Sequence, residues 1–128
     1  KAERLKSRKL IELLFQQGKS LSLFPYKVYW LMDREKVGNQ GIQYGIGVGT
    51  RHFKKAVDRN RIKRLSREAF RLGKLPLEKL VVENGKGLSL FFIYVGKEIP
   101  AFDLVQEKTT LILHKLVKQL DEVIKANS

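Results

Sequence analysis

The sequence predicts an α/β (α+β) two-layer sandwich from three features. Apolar residues recur at helical spacing in three separate stretches. Two stretches between them alternate apolar and other residues with period two, and Leu88 to Val95 is an unbroken apolar run of strand length. The order is helix, strands, helix, strand, helix, written α-β-β-(β)-α-β-α, with one further strand before the second helix left open. The pattern predicts elements and leaves strand order undetermined. A chain of 128 residues without internal repeat, low-complexity tract or linker is expected to form a single domain over 1–128.

The first helix is expected over residues 3–16. Leu5, Leu10, Leu13 and Leu14 recur near helical spacing, Ile11 and Phe15 stand four apart, and Gly18 suits the stop. Residues 26–32 read as a strand in which Tyr26, Val28, Trp30 and Met32 point one way, and Lys27, Tyr29 and Leu31 the other. Arg34 to Gly41 is polar and glycine-containing, a connection of hairpin type. Ile42, Tyr44, Ile46 and Val48 then alternate with Gln43, Gly45, Gly47 and Gly49, so one face of this strand is apolar and the other nearly bare. A second helix is expected from about Ala56 to Leu72, with Ile62, Leu65, Ala69 and Leu72 as its buried stripe and Gly73 and Pro76 as its end. Leu75 to Gly87 reads as a mixed connection. The run Leu88 to Val95 fits a central strand covered on both faces. Beyond Pro100 a last helix is expected over Asp103 to Lys125, its stripe including Leu113, Leu116, Val117, Leu120 and Ile124.

Charge narrows the function. The formal net charge is +13, and residues 1–19 and 51–71 carry eleven of the thirteen excess positive charges. Focusing of this kind marks a polyanionic partner, since a compact fold must otherwise bear the self-repulsion. Neither stretch is expected to couple its cations to exposed Trp or Phe on an interfacial helix, which disfavours a membrane surface. No apolar run reaches the 18 residues of a transmembrane helix, and Lys1 to Lys6 lacks the apolar core of a signal peptide. There is no cysteine, so disulfides and thiolate metal sites are excluded and a cytoplasmic location is expected.

The most informative stretch is Lys54 to Arg71. At about 100° per residue, Asn60, Lys63, Arg64, Arg67 and Arg71 share one broad helix face, away from the apolar stripe. Arginine forks bind two phosphate oxygens or stack on a base, so such a ridge binds RNA with strong salt dependence. Arg59-Asn60-Arg61 is an unusual choice for stability alone, because Asn is a poor helix former. Arg59 and Arg61 are expected to reach to either side of the row, with the Asn60 amide bonding RNA. Asp58 is read as favourable charge at a helix N-terminus, and Glu68 as a salt-bridge partner of Arg64 or Arg71.

Arg59 to Arg71, RNRIKRLSREAFR, closely resembles the signature of bacterial ribonuclease P proteins. The similarity extends to Arg4-Leu5 opening a helix that reaches Phe15, the Gly18-Lys19-Ser20 exit, the Tyr29 strand, Tyr44 to Val48, the basic crossover Arg51 to Lys55 and the apolar strand before the last helix. The resemblance implies a ribosomal-protein-like domain fold with a left-handed βαβ crossover. It implies an accessory protein subunit of an endoribonuclease that removes the 5′ leader of precursor tRNA. The catalytic centre would lie on the RNA subunit, which would also hold Mg2+ in the holoenzyme, none being bound by the protein alone. The implied partners are ribonuclease P RNA and precursor tRNA, with neither membrane nor DNA. On this chain the RNA subunit would be met by Arg51, Lys54, Lys55, Arg59, Asn60, Arg61, Lys63, Arg64 and Arg67. The leader would be met by Ile11, Phe15, Lys27, Tyr29 and Gly49. The chain departs from the family pattern at Ile11, where relatives often have Phe, at Gly47 and Gly49, where Ser is frequent, and at Thr50, where Lys is common.

Rival readings are a ribosomal or other structural RNA-binding protein, which composition alone does not separate from the first, and an enzyme with its own active site. The two histidines, His52 and His114, lack ligand spacing, and no nucleophile elbow, phosphate loop or paired-carboxylate motif occurs. A DNA-binding helix-turn-helix is disfavoured because no short turn and partner helix precede the Arg-Asn-Arg helix.

Overall fold

A computed structural model describes residues 8–33 and 41–126. The elements are α1 (Arg8–Gln17), β1 (Lys19–Leu23), β2 (Tyr26–Asp33), β3 (Gly41–Val48), α2 (Ala56–Gly73), α3 (Leu75–Glu83), β4 (Gly87–Tyr94) and α4 (Phe102–Ala126). One sheet runs in the order β1-β2-β4-β3. Neighbours are antiparallel except β3 and β4, which are parallel.

Strand alternation gives the sheet two different faces. Tyr26, Val28 and Trp30 of β2, Ile42, Tyr44 and Ile46 of β3, and Leu88, Leu90, Phe92 and Tyr94 of β4 all turn into one buried cluster with α2, α3 and α4. In α2 the residues that enter it are Ile62, Ser66, Ala69 and Phe70. The Phe70 ring stacks on Tyr44 at 4.1 Å and 9°. Ser66 is the polar member of this stripe. Its hydroxyl donates to the Ile62 carbonyl at 2.9 Å, so the Tyr26 hydroxyl donates to it in turn at 2.7 Å and ties α2 to β2. Burial pushes the Tyr26 phenol up to about 12.

Among the described residues, the second face is covered by α1, which packs on β2 and β4. Leu14 is fully buried there, apart from the main cluster. The chain leaves α1 through Gly18, whose amide donates to the Leu14 carbonyl at 2.9 Å. A Cβ at Gly18 would lie 2.5 Å from the Leu14 carbonyl oxygen and 2.9 Å from that of Trp30. Only glycine lets the helix end so close to the sheet.

The architecture agrees with the expected class, and four local readings change. The hairpin between the two alternating strands does not exist, because β4 lies between β2 and β3. Polar, glycine-rich composition marks a turn but not the partner of each strand. The strand with apolar residues on both faces takes the centre, where both edges are paired. Residues 34–40 themselves lie outside the described residues, as do Arg4 and Leu5 of the expected first helix. Second, Lys19–Leu23 is an edge strand rather than a helix exit alone; its five residues alternate Lys, Ser, Leu, Ser, Leu and are too short to stand out. Third, the connection after α2 contains α3. Pro76, read as a terminator, sits in the first turn of the new helix, where its missing N–H costs nothing. Fourth, Leu72 is 49% exposed while Phe70 is buried, since the stripe follows Ile62, Ser66 and Phe70 at four-residue steps.

Replacing Ser66 with Ala deprives the buried Tyr26 hydroxyl of its acceptor and should lower the unfolding free energy by about 1–3 kcal/mol. Leu72→Ala should cost less than about 0.5 kcal/mol, as surface changes do. Urea unfolding of the two variants checks the pair, and the opposite ranking would contradict the placement of this helix.

Candidate nucleic-acid interface

Parallel strands cannot be joined by a tight turn, so the chain must travel from the end of β3 back to the start of β4. Residues 49–86 make this crossover, and the densest charge of the sequence lies in its first half. Arg51, His52, Lys54 and Lys55 are exposed on the loop that leaves β3, while Phe53 between them is buried, its ring 6.1 Å from that of Tyr94. The apolar side chain therefore anchors a loop that carries three cations, Arg51, Lys54 and Lys55.

Arg59 holds the same loop from the helix. Its Nη1 donates to the carbonyls of Phe53 at 2.8 Å and Lys54 at 2.9 Å. The expectation that Arg59 reaches outward beside the main row thus needs revision, since this part of the fork is taken up by the protein itself. Asn60, Arg61 and Arg64 are exposed, and Lys63 and Arg67 are half-buried. The Arg67 charge also acts on the buried Tyr44 phenol. Glu68 accepts from Arg71 Nη2 at 2.6 Å and from Nε at 3.0 Å, which realises the salt bridge expected from the sequence. This hydrogen bond holds the Glu68 carboxyl below its ordinary range. Asp58 lies in the first turn of α2, as expected of an acid near the positive end of the dipole.

A second surface lies on the open face of the sheet. Phe15 projects from α1 and is 47% exposed. Its ring meets Tyr29 of β2 edge-on at 4.9 Å and 64°, and Phe91 of β4 at 5.9 Å and 70°. Lys27 shares the face of Tyr29, as the alternation requires, and its Nζ lies 5.4 Å from the Tyr29 ring centre, within cation–π range. Ile11 is half-buried one turn before Phe15, and Gly49 is exposed past the end of β3. The structure thus brings Phe15, Lys27 and Tyr29 together, with Ile11 one turn along α1 and Gly49 at the exit toward the basic loop. The loop and ridge cations gather on the crossover.

Phe91 is the member that sequence reasoning missed. Within the apolar run of β4, Leu88, Leu90 and Phe92 face the core, and Ser89, Phe91 and Ile93 face the other way. A strand apolar on both sides hides this split. The signal that could have found it is register, because Phe91 lies directly across from Tyr29.

The Ribonuclease P family model matches residues 1–121. A ribonuclease P protein component of Porphyromonas gingivalis is 36% identical over 107 residues, covering 83% of this chain and 77% of that protein. One from Chlorobium phaeobacteroides is 33% identical and covers 91% of this chain and 86% of that protein. Among solved structures, the ribonuclease P protein of Thermotoga maritima superposes with a TM-score of 0.69 at 32% identity, covering 88% of this chain and 96% of that one. With a cation-bearing crossover and a half-open aromatic face on this fold, and with matches that run nearly its whole length, the chain belongs to the ribonuclease P protein component family.

Proposed function

We propose that the crossover and α2 bind ribonuclease P RNA, and that the open sheet face holds the single-stranded 5′ leader of precursor tRNA. As a ribonuclease P protein component, the chain is the protein partner of a ribonuclease P RNA. The observation that carries the finer reading is the exposed Phe15 ring set edge-on between Tyr29 and Phe91, with Lys27 beside them. Rings on a half-open surface stack on unpaired bases of any sequence, and a nearby ammonium meets the backbone. Fixed duplex geometry offers no splayed bases to such a surface, whereas a leader strand does.

Arg51, Lys54 and Lys55 on the loop and Asn60, Arg61, Lys63, Arg64 and Arg67 on α2 would meet the RNA subunit. Arg59 would act chiefly by fixing the loop, through the two carbonyls it binds. Among the described residues no group of three His, Asp or Glu side chains could hold a metal ion. Mg2+ would be held mainly by RNA in a cytoplasmic holoenzyme, as the family resemblance implies, and the protein's work would be to position and neutralise phosphates. Membrane and DNA have no part in this reading.

Combining Arg61→Ala with Arg64→Ala should weaken binding to the RNA subunit. It should also flatten the plot of log affinity against log salt by about one unit for each phosphate no longer neutralised. Filter binding across a salt series measures this, and an unaltered slope would argue against direct binding of phosphate by these arginines.

Tyr29→Ala in the reconstituted holoenzyme should lower affinity for leader-bearing precursor relative to mature tRNA by about 1–3 kcal/mol. Equal weakening of both ligands would remove the leader from this face.

A further inference from the structure

We propose that Phe91 is a third base-stacking surface of the open sheet face, beside Phe15 and Tyr29, and that Gly47 is the positioning residue that lets it serve. The inference rests on the leader reading above and extends it from α1 and β2 to the centre of the sheet and β3.

Phe91 pairs across the sheet with Tyr29 on one side and Gly45 on the other. All three belong to the face turned away from the main cluster. Phe15, Tyr29 and Phe91 touch only at steep angles, 64° and 70°, so among these contacts no ring is stacked face to face. The core shows the contrast, where Tyr44 and Phe70 lie 9° apart and use up each other's faces. Aromatic rings favour offset stacking or edge contacts, and an edge-to-face contact covers at most one face of one ring, leaving the remaining faces for another π-system.

Gly47 determines where the Phe91 ring lies. A Cβ built there would fall 3.0 Å from Phe91 Cζ and 3.3 Å from Cε2, so the ring leans over the bare backbone of β3. Any side chain at 47 would push it back. Next along the same face, Gly49 is exposed, with nothing within 4 Å of where its Cβ would be. The surface therefore continues from Tyr29 across Phe91 and over two glycines toward Arg51, with no side-chain wall rising from β3 at those positions. An unpaired RNA strand fits such a strip. Its bases would stack on the rings while its backbone passes toward the cations of the crossover, with little demand on base identity.

The test uses holoenzyme reconstituted from the full chain and a ribonuclease P RNA, and reads the ratio of affinities for leader-bearing precursor and mature tRNA. Phe91→Leu keeps an apolar group but removes the ring, and should lower the ratio about tenfold, as expected when one stacked base loses its ring. Gly47→Val should lower it in the same direction by displacing the ring. If Phe91→Leu leaves the ratio at the wild-type value while Tyr29→Ala lowers it, Phe91 carries no base and the leader reading stands without it. If neither substitution moves the ratio, the leader reading fails and this inference with it. A second readout does not depend on the leucine variant folding well. The chain has one tryptophan, Trp30, which is buried on the opposite face. Phe91→Trp should therefore add fluorescence that a single-stranded oligoribonucleotide quenches, and absence of quenching would overturn the proposal.

Discussion

The parallel pairing of β3 with β4 is the constraint from which the rest of the molecule follows. A parallel neighbour has to be reached by a crossover, and this crossover carries a basic loop and two helices before β4 begins. The helices must bury their apolar sides against the sheet, so α2 inserts Ile62, Ala69 and Phe70 and its cationic residues, Arg59 apart, are left on the side away from the core. A helix with one face sunk in a core presents its charges on a backbone that is already ordered, so an encounter orders only their side chains. Two carbonyls of the loop are tied to Arg59, and Phe53 is sunk at its middle, so the loop cations share that rigidity.

The same arrangement leaves the other face short of cover. The crossover helices and α4 all enter the main cluster, and among the described residues α1 packs on the reverse side against β2 and β4. Phe15, Tyr29 and Phe91 gather on that side. Leaving the exposed part of these rings in water has an energetic cost of order 25 cal/mol per Å², largest at Phe15, which is about half exposed. Retaining rings beside a lysine is what a surface built for unpaired bases requires. The cationic ridge of α2 and the half-open aromatic face thus lie on opposite sides of the sheet and meet where β3 runs into the basic loop.

Much of this was legible in the sequence for definite reasons. Alternation in Tyr26 to Met32 separates Lys27 and Tyr29 from the core side, and alternating glycines in β3 announce a bare face. The RNRIKRLSREAFR segment places the ridge on a helix, and the family match sets aside a ribosomal or other structural RNA-binding role. What escaped has equally definite causes. Phe91 escaped because a strand apolar on both faces carries no period. The β2–β3 hairpin was an error because turn composition is silent about which strands pair, and α3 was missed because Pro76 serves as well to begin a helix as to end one. The inward turn of Arg59 has no sequence signature, since its partners are main-chain carbonyls five and six residues earlier.

One face of the sheet is closed into a core, and we propose that the other is kept open for an RNA strand. Backbone amide NMR of the isotopically labelled chain, titrated with a short single-stranded oligoribonucleotide, distinguishes the two faces. Shift changes are expected along β2 and β4 around Lys27, Tyr29, Phe91 and Ile93 and on to Gly47 and Gly49, with the middle of α4 unmoved. Changes concentrated on the outer side of α4 around Leu111 and His114, with the open face silent, would contradict it.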